Sequence, residues 1–257
     1  MNGLVAAELL KLRRRRGLVA LVSILTVGLA VAIYAVLALL HAANPAHHGP
    51  AGGIDNLGHV SLALSMLGAV AAGIVGATAG AGDLGAGVFR DLVATGRSRR
   101  SLFLSRIPGG LAFVLPFVAA SALVAAVASV VFAGSLPAPS TGLLAETGAW
   151  LVLDVVVYFV LALGVASLIG SRSTTIAIVL AWRLALTPLL SSVSFLGRAR
   201  EGIPGAALHR LAPTAIRDFL RQGNGVALSA GVAVLVLAIW TVAALALGAW
   251  RTETRDA

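Results

Sequence analysis

Lysine, which contacts the nucleotide phosphates in a P-loop, occurs only once in this chain. Its only lysine, Lys11, follows Leu10 in a Leu-Leu-Lys run. A P-loop needs a lysine directly after a glycine, because that lysine reaches the β and γ phosphates. We therefore expect no Walker-type ATPase, no enzymatic activity and no cofactor in this chain.

Other catalytic groups are just as sparse. The chain has no cysteine, which excludes thiol catalysis and cysteine-based metal sites. His41, His47 and His48 share one loop, but no carboxylate lies near them at ligand spacing. We predict a polar loop there and no metal site.

Two charged residues, Asp154 and Arg183, lie well inside apolar runs. A charge surrounded by lipid is costly, so such residues face a protein interior or a polar cavity, and they pair with one another. We predict that Asp154 and Arg183 pair or face a polar cavity. The alternatives are that they snorkel toward the membrane surface or face a seam between subunits.

The elements that position these residues follow from composition. The chain has 257 residues, of which 59% are hydrophobic and 11% charged, whereas soluble domains carry about 25% charged residues. Six apolar windows are each long enough to cross a bilayer, at about 17–41, 59–82, 107–134, 146–170, 175–196 and 225–250. We predict an all-α polytopic membrane protein, a single domain over 1–257. The first run is too long for a cleaved signal sequence.

Basic residues lie in short blocks between the apolar windows. With the N-terminus inside, the inner side holds most of them, while the outer loops at 42–58 and 135–145 hold none. Because basic loops resist translocation, we predict cytoplasmic termini. The last outer loop does not fit this rule, because it contains five basic residues: Arg198, Arg200, Arg210, Arg217 and Arg221. Such blocks are typical of membrane proteins, so we expect no nucleic-acid partner.

Residues 1–16 form a further element. Leu4, Val5, Leu9 and Leu12 recur at helical spacing. The polar side and the end of this segment consist of Glu8, Lys11 and the arginines Arg13, Arg14, Arg15 and Arg16. The pattern predicts an interfacial helix with its apolar face in lipid and its arginines near anionic headgroups. The alternative is a plain basic flank of the first span.

Small residues repeat every four positions in the second apolar window, at Gly68, Ala72, Gly76 and Gly80. They share one helix face and allow another backbone to approach closely. We predict that this face packs against another helix, either in the core or between subunits.

The longest inner connection runs from Asp83 to Arg106. Val88, Phe89, Leu92 and Val93 fall at helical spacing, and Arg90 and Asp91 lie on other faces. Gly96 then ends the segment. A basic cluster follows, made of Arg97, Arg99, Arg100 and Arg106. The pattern predicts a short amphipathic helix, and the alternative role of the basic cluster is only to anchor the third span at headgroups.

These features resemble the permeases of type-2 ABC exporters, a six-span family with a separate ATPase. The likeness rests on AELLKLRRRRG at 7–17, GVFRDLVATGRSRRSLFLSR at 87–106, and the six-span layout. It implies that the inner loop is a coupling helix, with Asp83, Phe89, Arg90, Asp91, Leu92, Arg97, Arg99 and Arg100 as ATPase-coupling residues. Family members often carry glutamate where this chain has Asp83.

The resemblance also implies partners and a location. Two permeases, either two copies or a copy and a paralogue, pair with two cytoplasmic ATPases that bind ATP and Mg²⁺, and the location is the bacterial inner membrane among its lipids.

A short outer helix over 212–222 is a candidate gate or rests on headgroups. We expect export of an amphipathic small molecule, lipid or peptide. A non-transporting scaffold or signalling subunit and an integral membrane enzyme remain the alternatives.

Overall fold

The structure is a computed structural model that describes residues 2–85, 87–94, 96–220 and 228–254. Within these ranges the chain is helical and contains no strand. Six of its helices are long and apolar enough to cross a membrane, which confirms the predicted all-α, six-span fold. The helices are α1 (Asn2–Arg13), α2 (Arg16–Ala43), α3 (Gly53–Gly85), α4 (Phe89–Ala94), α5 (Arg99–Val131), α6 (Thr141–Ile169), α7 (Arg172–Ser192), α8 (Pro204–Arg210), α9 (Thr214–Leu220) and α10 (Ala230–Thr254).

The spanning helices α2, α3, α5, α6, α7 and α10 do not end where the apolar windows end. Helix α5 begins at Arg99, and α10 continues to Thr254, because polar residues are tolerated where a helix leaves the apolar layer. Helix α7 instead stops early, since Val193 takes an extended backbone conformation.

Helices α3 and α6 form the centre of the bundle, and the small-residue face of α3 makes their contact possible. A Cβ on Gly76 would overlap the Phe159 carbonyl oxygen, and one on Gly80 would lie 2.7 Å from Ala166 Cβ. Gly68 and Ala72 on the same face are also buried. The predicted small-residue interface therefore packs inside this chain, and these four positions are not available to a second subunit.

The remaining spans surround this pair and expose more of their surface. Helix α10 packs on α6, where a Cβ on Gly164 would overlap the backbone of Ala244. Helix α8, which the apolar windows did not reveal, packs between them. The indole of Trp150 donates a hydrogen bond to the Leu208 carbonyl at 2.9 Å, so the connection between α7 and α10 folds back onto the bundle.

Helix α9 lies within the segment 212–222 that was predicted to be a short helix. Ile216 on α9 is buried, and α9 packs against α3. Residues 221 and 222 lie outside the described residues. The side of α9 that carries Ile216 therefore contacts protein, and it is not available to headgroups.

The bundle has two ends. We call the end that carries α1, α4 and the N-termini of α5 and α7 the basic end, and the other the far end. Helix α1 lies against α5, where a Cβ on Gly109 would come within 2.6 Å of Glu8 Cβ and 3.2 Å of the Val5 carbonyl oxygen. The apolar face of α1 therefore packs in part on protein, since Leu12 is buried while Leu4 and Leu9 stay partly exposed. Its contact with lipid stays a prediction.

Candidate functional site

Four charged side chains join three helices at the basic end, and we call them the ion-pair cluster: Glu8, Lys11, Asp83 and Arg106. Lys11 Nζ donates to Glu8 Oε1 at 2.6 Å and to Asp83 Oδ1 at 2.9 Å. Arg106 Nη2 donates to Asp83 Oδ2 at 3.1 Å, and its Nη1 donates to the Gly80 carbonyl at 3.1 Å. The cluster therefore links α1, the last turn of α3 and the first turns of α5.

Burial makes this cluster more than a surface ion pair. Arg106 is 1% exposed, and Glu8 and Asp83 are each 7% exposed. Burial raises the pKa of the Glu8 carboxyl, and the hydrogen bond from Lys11 opposes that rise. Glu8 was predicted to lie on the polar side of α1. It instead faces the bundle, because its partner Lys11 bridges to Asp83 there.

Helix α4 lies between Asp83 and Arg106 in sequence and matches the predicted short inner helix. Gly96 comes two residues after its end and has a φ of +80°, which suits a glycine at a helix stop. Asp91 is exposed and Leu92 is partly buried, while the side chains of Phe89 and Arg90 lie outside the described residues. Among the described residues, helix α4 makes few contacts with the other helices, so it projects from the bundle between α3 and α5.

The basic cluster beyond α4 makes contacts within the chain that the sequence did not predict. Arg99 Nη1 donates to the Glu253 carbonyl at 3.0 Å, and Arg100 Nε lies 3.9 Å from Glu253 Oε1. Arg97 is exposed, as are Arg13 and Arg14 at the end of α1. Two of the four arginines thus contact the end of α10 and tie the last span to α5.

A second charged group lies halfway along the spanning helices, and we call it the buried polar cluster: Ser65, Asp154, Tyr158 and Arg183. Arg183 Nη2 lies 3.5 Å from Asp154 Oδ2. Ser65 on α3 joins the two, because its hydroxyl donates to Asp154 Oδ2 at 2.8 Å and accepts from Arg183 Nη2 at 2.7 Å. The guanidinium also lies 4.9 Å from the centre of the Tyr158 ring.

The backbone of α7 changes pitch at this point. Residues Ala181–Leu186 form a π-helical turn that contains Arg183, and such turns often occur at functional sites. Asp154 is 0% exposed and Arg183 is 6% exposed. The two charges predicted to pair are therefore close, and neither reaches the surface of the chain.

His209 on α8 lies toward the far end from this cluster. Burial, together with the charge of Arg183, lowers the pKa of His209 to about 4. The imidazole is neutral at neutral pH for that reason.

The whole chain is similar to one known protein family. The family model for the ABC-2 family transporter proteins matches residues 3–257. The chain belongs to the ABC-2 transporter family. No curated protein matches it significantly. ABC-2 proteins are the membrane components of ABC transporters, so the six spans, the ion-pair cluster and α4 belong to a membrane permease.

Of the residues in these two clusters, Ser65 and Tyr158 were not predicted from the sequence, and Arg106 was predicted only as a member of the basic cluster. Arg106 was grouped with the neighbouring arginines. Its position directly before an apolar run, apart from the other three, could have indicated a separate role. Ser65 and Tyr158 gave no signal, since serine and tyrosine are common in spanning helices and only the rotation of each helix decides which of them meets a charge.

Proposed function

We propose that this chain is the permease subunit of an ATP-driven ABC exporter. In this proposal its basic end and both termini face the cytoplasm of a bacterial cell, and a separate cytoplasmic ATPase binds ATP and Mg²⁺. A second permease, either another copy or a paralogue, completes the membrane part within the inner-membrane lipids. The substrate is an amphipathic small molecule, lipid or peptide that leaves the cytoplasm or the inner leaflet.

The observation that carries the proposal is the ion-pair cluster at the root of α4. Helix α4 itself projects from the bundle, while Asp83 and Arg106 fix the ends of α3 and α5 to α1 on either side of it. Because these helices are tied together by buried charges, a push on α4 is transmitted to α1, α3 and α5 as one unit. This arrangement suits a lever that a soluble motor moves.

The contacts of Arg99 and Arg100 extend the same unit. Both residues meet Glu253 at the end of α10, so a displacement of α4 also reaches the last span. In the proposed role, Asp91, Leu92 and Arg97 contact the ATPase together with Phe89 and Arg90, whereas Asp83, Arg99 and Arg100 transmit its movement.

Copurification tests the proposal. The tagged full chain is expressed with a P-loop ATPase selected from the neighbouring reading frames by its Walker motif, and the ATPase retained on the permease is quantified. We expect the double variant Arg90→Ala/Asp91→Ala to retain at least about tenfold less ATPase, since truncating the hot-spot residues of an interface costs about 2 kcal/mol or more. Arg198→Ala/Glu201→Ala, which removes the same charges at the far end, should retain the wild-type amount.

Full retention of the ATPase by Arg90→Ala/Asp91→Ala would contradict the proposed docking helix. A chain that never copurifies with a P-loop ATPase would instead favour the scaffold or signalling subunit. Chemical turnover by the purified chain without the ATPase would favour the membrane enzyme.

A further inference from the structure

A cleft of about 600 Å³ opens at the basic end, on the opposite side of α3 from Arg106. It lies between the last turn of α3, the start of α2 and the link from α6 to α7. Gly82, Gly85 and Gly170 keep its floor free of side chains. Its volume falls within the range of small-ligand sites, which is roughly 300–1,000 Å³.

The charged groups that line this cleft have one sign. Arg15 and Arg172 both line it and are both exposed, and no carboxylate lines it among the described residues. Arg15 reaches over the end of α3, where its Nη2 would lie 3.5 Å from a Cβ on Gly82. Asp83, the nearest acid in sequence, is already held by Lys11 and Arg106. The cleft therefore has a net positive charge.

Hydrogen-bond donors also line the cleft, beside the carbonyl groups at the ends of α3 and α6. Ser171, Arg172 and Ser173 line it as the first turn of α7, and the first backbone N–H groups of a helix have no partner within the helix. The Ser171 hydroxyl accepts from the Thr174 N–H, which fixes the start of the helix beside the cleft. Arginines combined with such N–H groups suit a phosphate oxygen.

One wall of the cleft is apolar. Ile176 and Ala81 line it with their side chains. A ligand with a phosphate and a hydrocarbon tail can place the phosphate between the arginines and lay the tail along the first turns of α7. A soluble phosphate compound would leave this apolar path uncovered.

We propose that the cleft between Arg15 and Arg172 binds the phosphate headgroup of an anionic phospholipid. The proposal shares with the proposed function only the placement of the basic end at a membrane surface. It does not depend on the ATPase or on the transported substrate. A bound lipid would hold the start of α2 against the start of α7, and it would link the two spans through their charges.

Native mass spectrometry of the full chain in detergent tests the site, with phosphatidylglycerol and phosphatidylcholine added in separate titrations. The wild type should bind phosphatidylglycerol more tightly than phosphatidylcholine. Arg15→Gln/Arg172→Gln should weaken phosphatidylglycerol binding by about tenfold or more, because each arginine near the surface contributes about 1 kcal/mol toward anionic lipid. Arg15→Lys/Arg172→Lys should keep most of the binding.

The matched control is Arg16→Gln/Arg251→Gln, which removes two charges at the same end but outside the cleft lining. This control should change phosphatidylglycerol binding less than about twofold. An equal loss in the control, or no loss in Arg15→Gln/Arg172→Gln, would overturn the site. Unfolding midpoints of all variants show whether each one is folded.

Competition with millimolar inorganic phosphate distinguishes a lipid ligand from a soluble phosphate compound. If the cleft takes a lipid, phosphate should leave the phosphatidylglycerol complex of the wild type intact. Displacement of the lipid by phosphate, lost in Arg15→Gln/Arg172→Gln, would show that a soluble phosphate compound is the ligand and would reject the lipid proposal.

Discussion

At the scale of single residues, the buried polar cluster shows how the chain tolerates charge far from water. Arg183 and Asp154 neutralise one another, and the Ser65 hydroxyl joins them by accepting from one and donating to the other. A buried pair of this kind adds little to stability over an apolar packing, but breaking it leaves an uncompensated charge. We infer that it sets which turns of α3, α6 and α7 face one another.

Asp154→Asn tests this role. The change keeps the shape of the side chain and leaves Arg183 buried without a charged partner, so we expect the free energy of unfolding to fall by about 3–5 kcal/mol. The unfolding midpoint in detergent and the amount of folded protein in the membrane fraction measure the loss.

The double variant Asp154→Leu/Arg183→Leu is the companion measurement. It removes both charges and should recover most of the lost stability, since replacing a whole buried pair by apolar groups is often neutral or stabilising. Normal expression and normal transport in Asp154→Asn alone would show that the pair has no such role.

Part of this cluster was predictable from the sequence. Asp154 and Arg183 were the only charges well inside the spans, so their pairing followed from the cost of charge in lipid. Ser65 was not predictable, because the chain has many serines in its helices and the side of α3 that meets α6 depends on packing. The same reason hid Tyr158.

At the scale of elements, α1 shows what a sequence pattern leaves open. Its helix was predicted from the spacing of its leucines, and it was expected to lie in lipid. In the structure Gly109 on α5 leaves room for it, and Glu8 and Leu12 are buried against the bundle. The pattern alone describes one apolar face, and it does not say whether lipid or protein covers that face.

The contact between α3 and α6 is an element-scale feature with a direct test. Gly76→Ala adds a methyl group that overlaps the Phe159 carbonyl oxygen and lies about 3.0 Å from Ala162 Cβ. Because these are backbone and helix-core atoms, the helices must move apart, and we expect a loss of about 1–3 kcal/mol. The unfolding midpoint in detergent measures the change.

Gly148→Ala on α6 is the matched control, since no atom lies within 4 Å of the added Cβ. It should be neutral or slightly stabilising, because alanine favours helices more than glycine does. If Gly76→Ala is as stable as Gly148→Ala, the close packing of α3 on α6 is not what holds the centre of the bundle.

At the scale of the whole molecule, the two charged clusters lie at different depths along the helix bundle. The ion-pair cluster fixes α1, α3 and α5 at the basic end, and the buried polar cluster fixes α3, α6 and α7 halfway along the spans. Helix α3 takes part in both. A movement that begins at the basic end therefore has one central helix through which it can reach the middle of the bundle.

The absence of cysteine from the chain allows a direct test of orientation. With Ser98→Cys at the basic end and Gly49→Cys at the far end, a membrane-impermeant maleimide added to intact cells should label only Gly49→Cys. Both should react after the membrane is opened, because basic loops remain on the cytoplasmic side. Labelling of Ser98→Cys from outside would reverse the proposed topology and remove α4 from the reach of a cytoplasmic ATPase.

The sequence by itself determined that this protein has six helical spans and a short helix in its longest inner connection. It also indicated that Asp154 and Arg183 pair. These follow from composition and period, because an apolar run of about 20 residues crosses lipid as a helix that satisfies its own backbone groups. The tertiary structure alone decided that Lys11 and Arg106 share Asp83, that Ser65 joins Asp154 to Arg183, and that Arg15 and Arg172 face one cleft. Each of those contacts joins residues from different helices, and the relative rotation of two helices is set by how all of their side chains pack together.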